Sequence, residues 1–471
     1  MAPGTRPDII GEGIFVAQAG QAVAPGRAGG SPAARDAGRW LLPAGVAVLV
    51  LVLAAYVTDL VTHLSVLAAM RDLVVYREGG LIVRHVSPPY NPARYAPLYS
   101  WRGQQQAPFT YPPFAAIGFA VGSLLSWTVL RWAMTLASLG ALTLSIWLTF
   151  GALGYSGRRV RAGATLLVTA VALLTEPVQQ NLALGQINLL LMLLVTVDLL
   201  LPGRHWWNGT AIGVAAGIKL IPLIFIPYLL LTGRFRQAAT ATGTFIATIA
   251  IGYVILPHDS AEYWQSGMFM KANRIIFLGT RGNQSLRGLL TRFIGSVAAA
   301  NGPWLAAALV VGVLGLLTAA ALYHAGHPVP GMLACELTAL LVFPLSWDHH
   351  WVWVALGIAL LGHLAVQARG AARSAWWAAA AALVLVFGAW PQFWDPAQGL
   401  TPAGLFWYGP SDYFAYGDAP WYKEYHWHGL QVLAGNSMVF AGLIAFAAFA
   451  VAAVRLRQPA LRMLRQVMQL P

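Results

Sequence analysis

The acidic residue best placed to do chemistry is Asp72, which follows the first long apolar segment and opens a polar, aromatic stretch. A carboxylate at a membrane boundary is partly desolvated, which makes it basic enough to accept a proton from a sugar hydroxyl near neutral pH. Tyr76 follows one helical turn later and can share its face. Asp59, deeper in the apolar segment, is the alternative base, and pairing of Asp72 with Arg71 is the alternative without chemistry.

A second group suited to chemistry is Asp348, His349 and His350, flanked by Trp347. The composition suggests a metal site, but adjacent helical residues point about 100° apart and cannot easily chelate one ion. We therefore expect no metal. The pattern favours a polar rim whose imidazoles donate hydrogen bonds to a phosphate or a sugar, while Trp347 stacks on a sugar face. An interfacial aromatic belt would explain the tryptophans but not the acid and the histidines.

Lys219 interrupts an apolar segment and is followed by Pro222. A cation inside the membrane is a functional-site hypothesis by default, and a broken helix frees backbone groups to line a cavity. A lipid phosphate is the expected partner. The alternative is a lysine that extends along the helix to reach the interface.

Further polar residues can contact a sugar or an anionic headgroup. Gln186 and Asn188 can hydrogen-bond sugar hydroxyls or cap the following helix. The second long loop carries a patch suited to an anionic headgroup, or else a solvated loop. The patch consists of Lys271, Arg274, Arg281, Asn283, Gln284, Ser285 and Arg287.

The composition specifies the environment in which these residues act. Of the 471 residues, 58% are hydrophobic and 10% are charged, and the apolar residues form long runs. This predicts an all-α polytopic membrane protein with the lipid bilayer as its partner. The net charge is +13, and the basic residues lie mainly between apolar segments and at the end of the chain. This distribution indicates contact with anionic lipid rather than nucleic acid.

The chain divides into a disordered cytoplasmic tail (residues 1–40), a membrane domain (41–454) and a basic amphipathic tail (455–471). About twelve transmembrane segments are predicted, with three long outer-face loops at 67–108, 257–292 and 391–428. That count puts the arginines of residues 158–161 outside, against the positive-inside rule, and puts the connector of residues 186–188 inside, away from the long loops. Segment four (about 162–174) or the broken segment six (209–231) is therefore a candidate helical hairpin or re-entrant segment.

Several stretches occur in an order that resembles glycosyltransferase family 87. They are DLVVY at 72–76, FTYPP at 109–113, EP at 176–177 with GQIN at 185–188, GIKLIP at 217–222, NQS at 283–285 and LSWDHH at 345–350. The resemblance covers the first to the tenth apolar segment. It does not extend to the first tail or to the aromatic loop 391–428.

The resemblance implies a GT-C fold with its active site on the outer face of the cytoplasmic membrane. It implies inversion without a metal or a cofactor, Asp72 as general base, and Tyr76 and Tyr111 among the substrate-binding residues. The donor is expected to be a polyprenyl-phosphate-linked sugar, most simply mannose, and the acceptor a glycolipid of the phosphatidylinositol mannoside type. An arabinofuranosyltransferase of the same family is one alternative. A lipid or sugar transporter is another, which predicts inverted repeats and polar residues near the membrane midplane.

Overall fold

The computed structural model describes residues 32–62, 70–85, 98–99, 109–201, 203, 205–271, 276–390, 404–412 and 418–467. Helices make up most of this part of the chain. Its β structure is limited to two isolated bridges. The first nine helices are α1 (Pro32–Thr62), α2 (Arg71–Val83), α3 (Pro113–Gly122), α4 (Trp127–Ala152), α5 (Arg158–Ala172), α6 (Glu176–Leu184), α7 (Asn188–Leu200), α8 (Thr210–Ile218) and α9 (Phe225–Leu231). The others are α10 (Phe235–Ile255), α11 (Pro257–Trp264), α12 (Leu286–Ile294), α13 (Val297–His324), α14 (Pro328–Val342), α15 (Val354–Gln367), α16 (Gly370–Phe387), α17 (Leu430–Gly435) and α18 (Ser437–Val467).

Six helical segments among the described residues are long and apolar enough to cross a membrane. They are α4, α10, α13, α15 with the short 3-10 helix before it, α16 and the first part of α18. The pair α6 and α7, bent by 115°, adds a seventh if it forms one span. The chain is therefore an all-helical, multi-pass membrane protein, as predicted. Each of the twelve predicted segments contains a helix, but the count of twelve crossings is not confirmed.

The long helices run between two ends of different chemistry, which we call the polar end and the basic end. The polar end is defined by Asp72, Gln186, Lys219 and His349. At the basic end, the first turn of α5 packs on the last turns of α4, where Arg161 donates to the Trp147 carbonyl at 2.7 Å. The basic end carries the arginines of the short connections between helices, namely Arg158, Arg159, Arg161, Arg234, Arg236, Arg369 and Arg373.

Segment six is a hairpin rather than a straight span. Gly209 at the start of α8 lies against Gln237 at the start of α10, and Gly217 lies against Thr248 farther along both helices. The two helices therefore run side by side in the same direction. The chain between them, through the 3-10 helix at Ile221–Ile224 and α9, must return to the end from which it started. This turn places Lys219 at the tip of the hairpin, at the polar end.

The helix α3 also differs from the prediction. Its 10 residues span about 15 Å, half of a hydrocarbon core of about 30 Å, so it does not cross a membrane alone. Because α3 is short and segment six turns back, a count of twelve crossings assigns two connections to the wrong end of the helices. In the structure the arginines at 158–161 join the basic end, and the connector at 186–188 joins the polar end with the long loops.

The domain boundaries stay predictions. Most of the predicted tail 1–40 lies outside the described residues, and α1 begins at Pro32. The helical piece expected in loop 67–108 is α2, whereas loop 257–292 contains α11 and α12. The backbone of α18 continues to Val467, into the predicted tail 455–471.

Candidate functional site

A tight turn between α6 and α7 brings the polar connector onto α2. Gly185 ends α6 with φ 67°, a left-handed conformation that glycine adopts without strain. A Cβ at this position would lie 2.7 Å from the Cβ of Leu73, so glycine also permits the close approach of α2. The turn thus sets Gln186 beside Asp72, near the start of α2.

Gln186 links the candidate base to two tyrosines. Its Nε2 donates to Oδ2 of Asp72, and its Oε1 accepts from the hydroxyls of Tyr76 at 2.8 Å and Tyr111 at 3.2 Å. The two hydroxyl oxygens are 2.6 Å apart. These partners fix the amide orientation, because the opposite one would direct an oxygen lone pair at the carboxylate. Four predicted site residues therefore form one network.

This network also sets the proton affinity of the base. Asp72 retains some accessible surface, yet burial among these groups raises the pKa of its carboxyl above the usual value. The neighbouring His349, the hydrogen bond from Gln186 and the charge of Lys219 oppose that rise in the Asp72 pKa. Burial likewise raises the pKa of Tyr76 and of Tyr111, so both hydroxyls keep their protons. The tyrosines therefore serve as hydrogen-bond donors and not as bases.

Lys219 turns its ammonium group toward the same network. Its Nζ donates to Oδ1 of Asn188 at 2.8 Å, lies 2.8 Å from Nε2 of His350, and sits 5.6 Å from the ring centre of Tyr111. Asn188 in turn donates to the His349 carbonyl at 3.1 Å. The side chain of Lys219 is thus directed at buried polar partners and does not extend to an interface. Among the described residues it makes no direct ion pair with Asp72.

The two adjacent histidines serve different partners. They lie on a 3-10 helix, Asp348–Trp353, with their rings 85° apart. Nδ1 of His349 is 3.0 Å from Oδ1 of Asp348, whereas Nε2 of His350 faces Lys219. Nε2 of His349 and Nδ1 of His350 have no hydrogen-bond partner among the described residues. This geometry gives a polar rim in which each imidazole has one open ring nitrogen.

Trp347 and loop two hold this rim in place. The rings of Trp347 and His349 are stacked at 6.0 Å, so one face of the indole is occupied. A short antiparallel bridge joins Asn283 to Trp347, and the Asp348 amide donates to the Gly282 carbonyl at 3.1 Å. The Nδ2 of Asn283 donates to the carbonyls of Leu278 and Pro344. Through these contacts Asn283 holds the backbone of the rim in place.

The remaining loop-two residues lie away from the Asp72 network. The guanidinium of Arg281 is 3.8 Å from the Trp407 ring centre and donates to nearby carbonyls. Gln284 donates to the carbonyls of Arg281 and Gly435. Arg287 donates to Asn301 at 2.6 Å and lies over Trp304. Arg274 lies outside the described residues, as does the side chain of Asp59.

Two buried acids at the polar end were not assigned a role from the sequence. Glu336, buried on α14, lines a small cavity of about 30 Å³ together with Lys219. Glu176, the first residue of α6, is fully buried against Asp348. The signal for Glu336 was an acid inside an apolar segment. The signal for Glu176 was its place in the EP stretch.

A metal grouping does occur among the described residues, but not at the rim. Ligand atoms of His258, Asp259 and Glu262 on α11 lie within 4.8 Å of one another. One Asp259 oxygen already accepts from the Leu98 amide at 2.8 Å. The rim residues Asp348, His349 and His350 do not form such a grouping.

Comparison with known proteins gives one family. The profile of Glycosyltransferase family 87 matches residues 109–344. This match includes Tyr111, Gln186, Asn188 and Lys219, and it stops before the rim histidines. No solved structure matches the chain significantly.

Curated relatives have similar names. A "Polyprenol-phosphate-mannose-dependent alpha-(1-2)-phosphatidylinositol pentamannoside mannosyltransferase" of Mycobacterium tuberculosis is 33% identical over 65% of this chain and 69% of its own length. The corresponding "phosphatidylinositol mannoside mannosyltransferase" of the same species is 32% identical over 56% of this chain and 64% of its own length. An "Alpha-(1->3)-arabinofuranosyltransferase" of Corynebacterium glutamicum is 29% identical over 39% of this chain and 43% of its own. The profile match covers half of the chain and the first relative is matched over more than two thirds of its length, so the chain belongs to glycosyltransferase family 87.

Proposed function

We propose that the chain transfers mannose from a polyprenyl-phosphate carrier to a hydroxyl of a phosphatidylinositol mannoside. The observation that carries the proposal is that Asp72 and Lys219 are gathered at one end of the helices, with Gln186 and Asn188 between them. The Asp72 carboxylate can accept a proton from the acceptor hydroxyl. The Lys219 ammonium group can bind the phosphate that leaves. The family and the names of the relatives support the same chemistry.

The transfer needs one base and one site for the leaving phosphate. Asp72 accepts the proton of the acceptor hydroxyl as its oxygen attacks the anomeric carbon of mannose. The bond from that carbon to the phosphate oxygen breaks, and its electron pair leaves with the polyprenyl phosphate. Attack opposite the leaving group inverts the anomeric centre. Lys219 stabilises the negative charge on the phosphate.

The buried position of Asp72 suits this role. A carboxylate of raised pKa is a stronger base than an exposed aspartate. The Gln186 amide keeps it oriented, because its N–H occupies one carboxylate oxygen and leaves the other for the acceptor. Asn188 and Gln186, both buried, are also the candidates for contacts with sugar hydroxyls.

The orientation of the chain in the bilayer is inferred from its polar end and its basic end. We propose a GT-C fold in the cytoplasmic membrane with the polar end facing outside. Arginines concentrate at the basic end, and short basic connections lie on the cytoplasmic side. Of the twelve predicted segments, ten would then cross the membrane, while α3 stays on the outer side and α8 with α9 forms a re-entrant hairpin.

Two other functions have weaker support. An arabinofuranosyltransferase is supported by the more distant relative, which matches a smaller share of the chain. A transporter is supported by the broken helices, since the breaks of such helices often surround a transported ligand. The polar groups here collect at one end of the helices, which favours an enzyme that works on a polar acceptor at the surface.

The Asp72→Asn variant should lose transfer by about a hundredfold or more, the range that a positioned general base contributes. Asparagine has the same shape but cannot accept the proton, so donor binding and thermal stability should stay close to those of the wild type. The measurement is mannose transfer from polyprenyl-phosphate-mannose to phosphatidylinositol mannosides by purified protein in nanodiscs. Asp59→Asn is the matched control and should remain active.

An active Asp72→Asn enzyme with an inactive Asp59→Asn enzyme would move the base to Asp59. Wild-type turnover with polyprenyl-phosphate-arabinose in place of the mannose donor would favour the arabinofuranosyltransferase. Turnover with neither donor, together with measured lipid translocation, would favour the transporter.

The pH dependence of transfer should reveal the ionisation of Asp72. The base works only when ionised, so the rate should fall as pH decreases through a pKa above the ordinary aspartate value of about 4. Gln186→Leu removes a hydrogen bond that favours the ionised form, so the fall should begin at a higher pH. Gln179→Leu is the control, since Gln179 donates to the Leu173 carbonyl instead. A Gln186→Leu profile that matches the wild type at low pH would contradict this role.

The proposed orientation can be tested by labelling single cysteines in intact cells. Cys335 is buried and gives little background. Ser266→Cys, exposed after α11, should react with a membrane-impermeant maleimide added outside. Ser156→Cys, exposed at the basic end, should react only after the membrane is permeabilised. The reverse pattern would place the polar end in the cytoplasm.

A further inference from the structure

Glu176 is a buried acid that the proposed reaction does not use. It begins α6, and none of its surface is exposed. Neither of its carboxyl oxygens receives an N–H or O–H hydrogen bond from the described residues. An isolated carboxylate in such a place is strongly disfavoured, so the group must be neutral or paired.

The neighbour that can satisfy Glu176 is a second carboxyl. Asp348 lies within hydrogen-bonding reach of Glu176 and is itself buried. Two buried carboxyls in contact share one proton, because both cannot carry a negative charge at this distance. Asp348 already faces Nδ1 of His349 at 3.0 Å. The histidine stabilises the ionised form of Asp348, which leaves the shared proton with Glu176.

The ionised Asp348 affects the reacting groups through His349. An ionised Asp348 accepts the Nδ1–H of His349 and so fixes the tautomer of the imidazole. The other nitrogen, Nε2, is buried and has no hydrogen-bond partner among the described residues. His349 is linked to the candidate base by two amides: Asn188 donates to the His349 carbonyl at 3.1 Å and to Gln186, and Gln186 donates to Asp72.

We propose that Glu176 is a positioning residue that acts as a neutral acid, donating its proton to Asp348 and thereby holding His349 with Nε2 turned toward the substrates. This proposal rests on the proposed mannosyl transfer. Glu176 does not exchange its proton with the substrate during the reaction. Glu176, at the start of α6, thus contacts Asp348, which in turn contacts His349.

Two substitutions separate this role from a structural role and from acid–base catalysis. Glu176→Gln keeps the shape, is neutral and can donate an N–H to Asp348, so its kcat should stay within a few-fold of the wild type. Glu176→Met fills the space without a donor. Its kcat should fall about ten- to a hundredfold, the range that corresponds to losing one hydrogen bond to a charged group. Its thermal stability should be preserved, because an apolar side chain replaces a buried polar one.

The three roles predict different orders of activity. Equal activity of the Met and Gln variants would show that Glu176 only fills space, and an inactive Gln variant with wild-type stability would show that its proton takes part in the chemistry. Either result overturns the proposal. Glu262→Met, an acid-to-Met change on α11, is the control and should match the wild type.

A readout independent of turnover keeps this proposal distinct from the proposed function. Nitrogen NMR of labelled histidines, with His349→Asn for assignment, should show a protonated Nδ1 in the wild type and in Glu176→Gln. In Glu176→Met the His349 signal should shift toward a mixture of tautomers. If the wild type transfers no mannose but these signals behave as stated, the proposed function fails while the arrangement of Glu176 stands. An unchanged His349 signal in Glu176→Met contradicts the arrangement itself.

Discussion

A carboxylate and an ammonium group share the polar end of the helices without forming a direct ion pair in the described part of the chain. Two amide side chains separate them: Gln186 donates to Asp72, and Asn188 accepts from Lys219. A direct salt bridge would satisfy both charges and leave neither for a substrate. The amides orient each charge with a neutral partner, so a carboxylate oxygen and an ammonium hydrogen stay available. The rest of the polar end is arranged around this separation.

Three interruptions of helices converge there. α6 and α7 meet at Gly185, the hairpin turns at Lys219, and the chain between α14 and α15 tightens into the 3-10 helix of the rim. Each break frees backbone groups and directs one or two polar side chains away from the helix axis. Unbroken spans would have buried these residues among apolar neighbours or turned them toward lipid. The breaks therefore gather polar side chains at one end of an otherwise apolar bundle of helices.

The sequence predicts members of this candidate site at positions where a charged residue lies in or beside an apolar segment. Lys219 beside Pro222 in an apolar run, and Asp72 at the edge of another, are costly enough to indicate function, and the structure places them together. The helical class followed from the long apolar runs. Tyr111 came only from the resemblance to the family, since an aromatic residue before a membrane helix is common for other reasons.

The rest depended on packing between distant segments. The arginines of loop two suggested a phosphate patch, but Arg281 stacks on Trp407 of the third loop, a contact that no local pattern reveals. The sidedness predicted for residues 158–161 failed because apolar composition alone does not show that α3 is short or that segment six turns back. Glu176 belongs to the EP stretch, but the sequence gives it no role because its partner Asp348 lies far along the chain.

The central claim is that Lys219 binds the donor phosphate while Asp72 faces the acceptor. The most direct test is a structure of the Asp72→Asn variant in a nanodisc with polyprenyl-phosphate-mannose bound. We expect a phosphate oxygen about 3 Å from Nζ of Lys219, with the anomeric carbon between the phosphate and residue 72. A phosphate bound instead at Arg281 or Arg287, away from Lys219, would contradict the account.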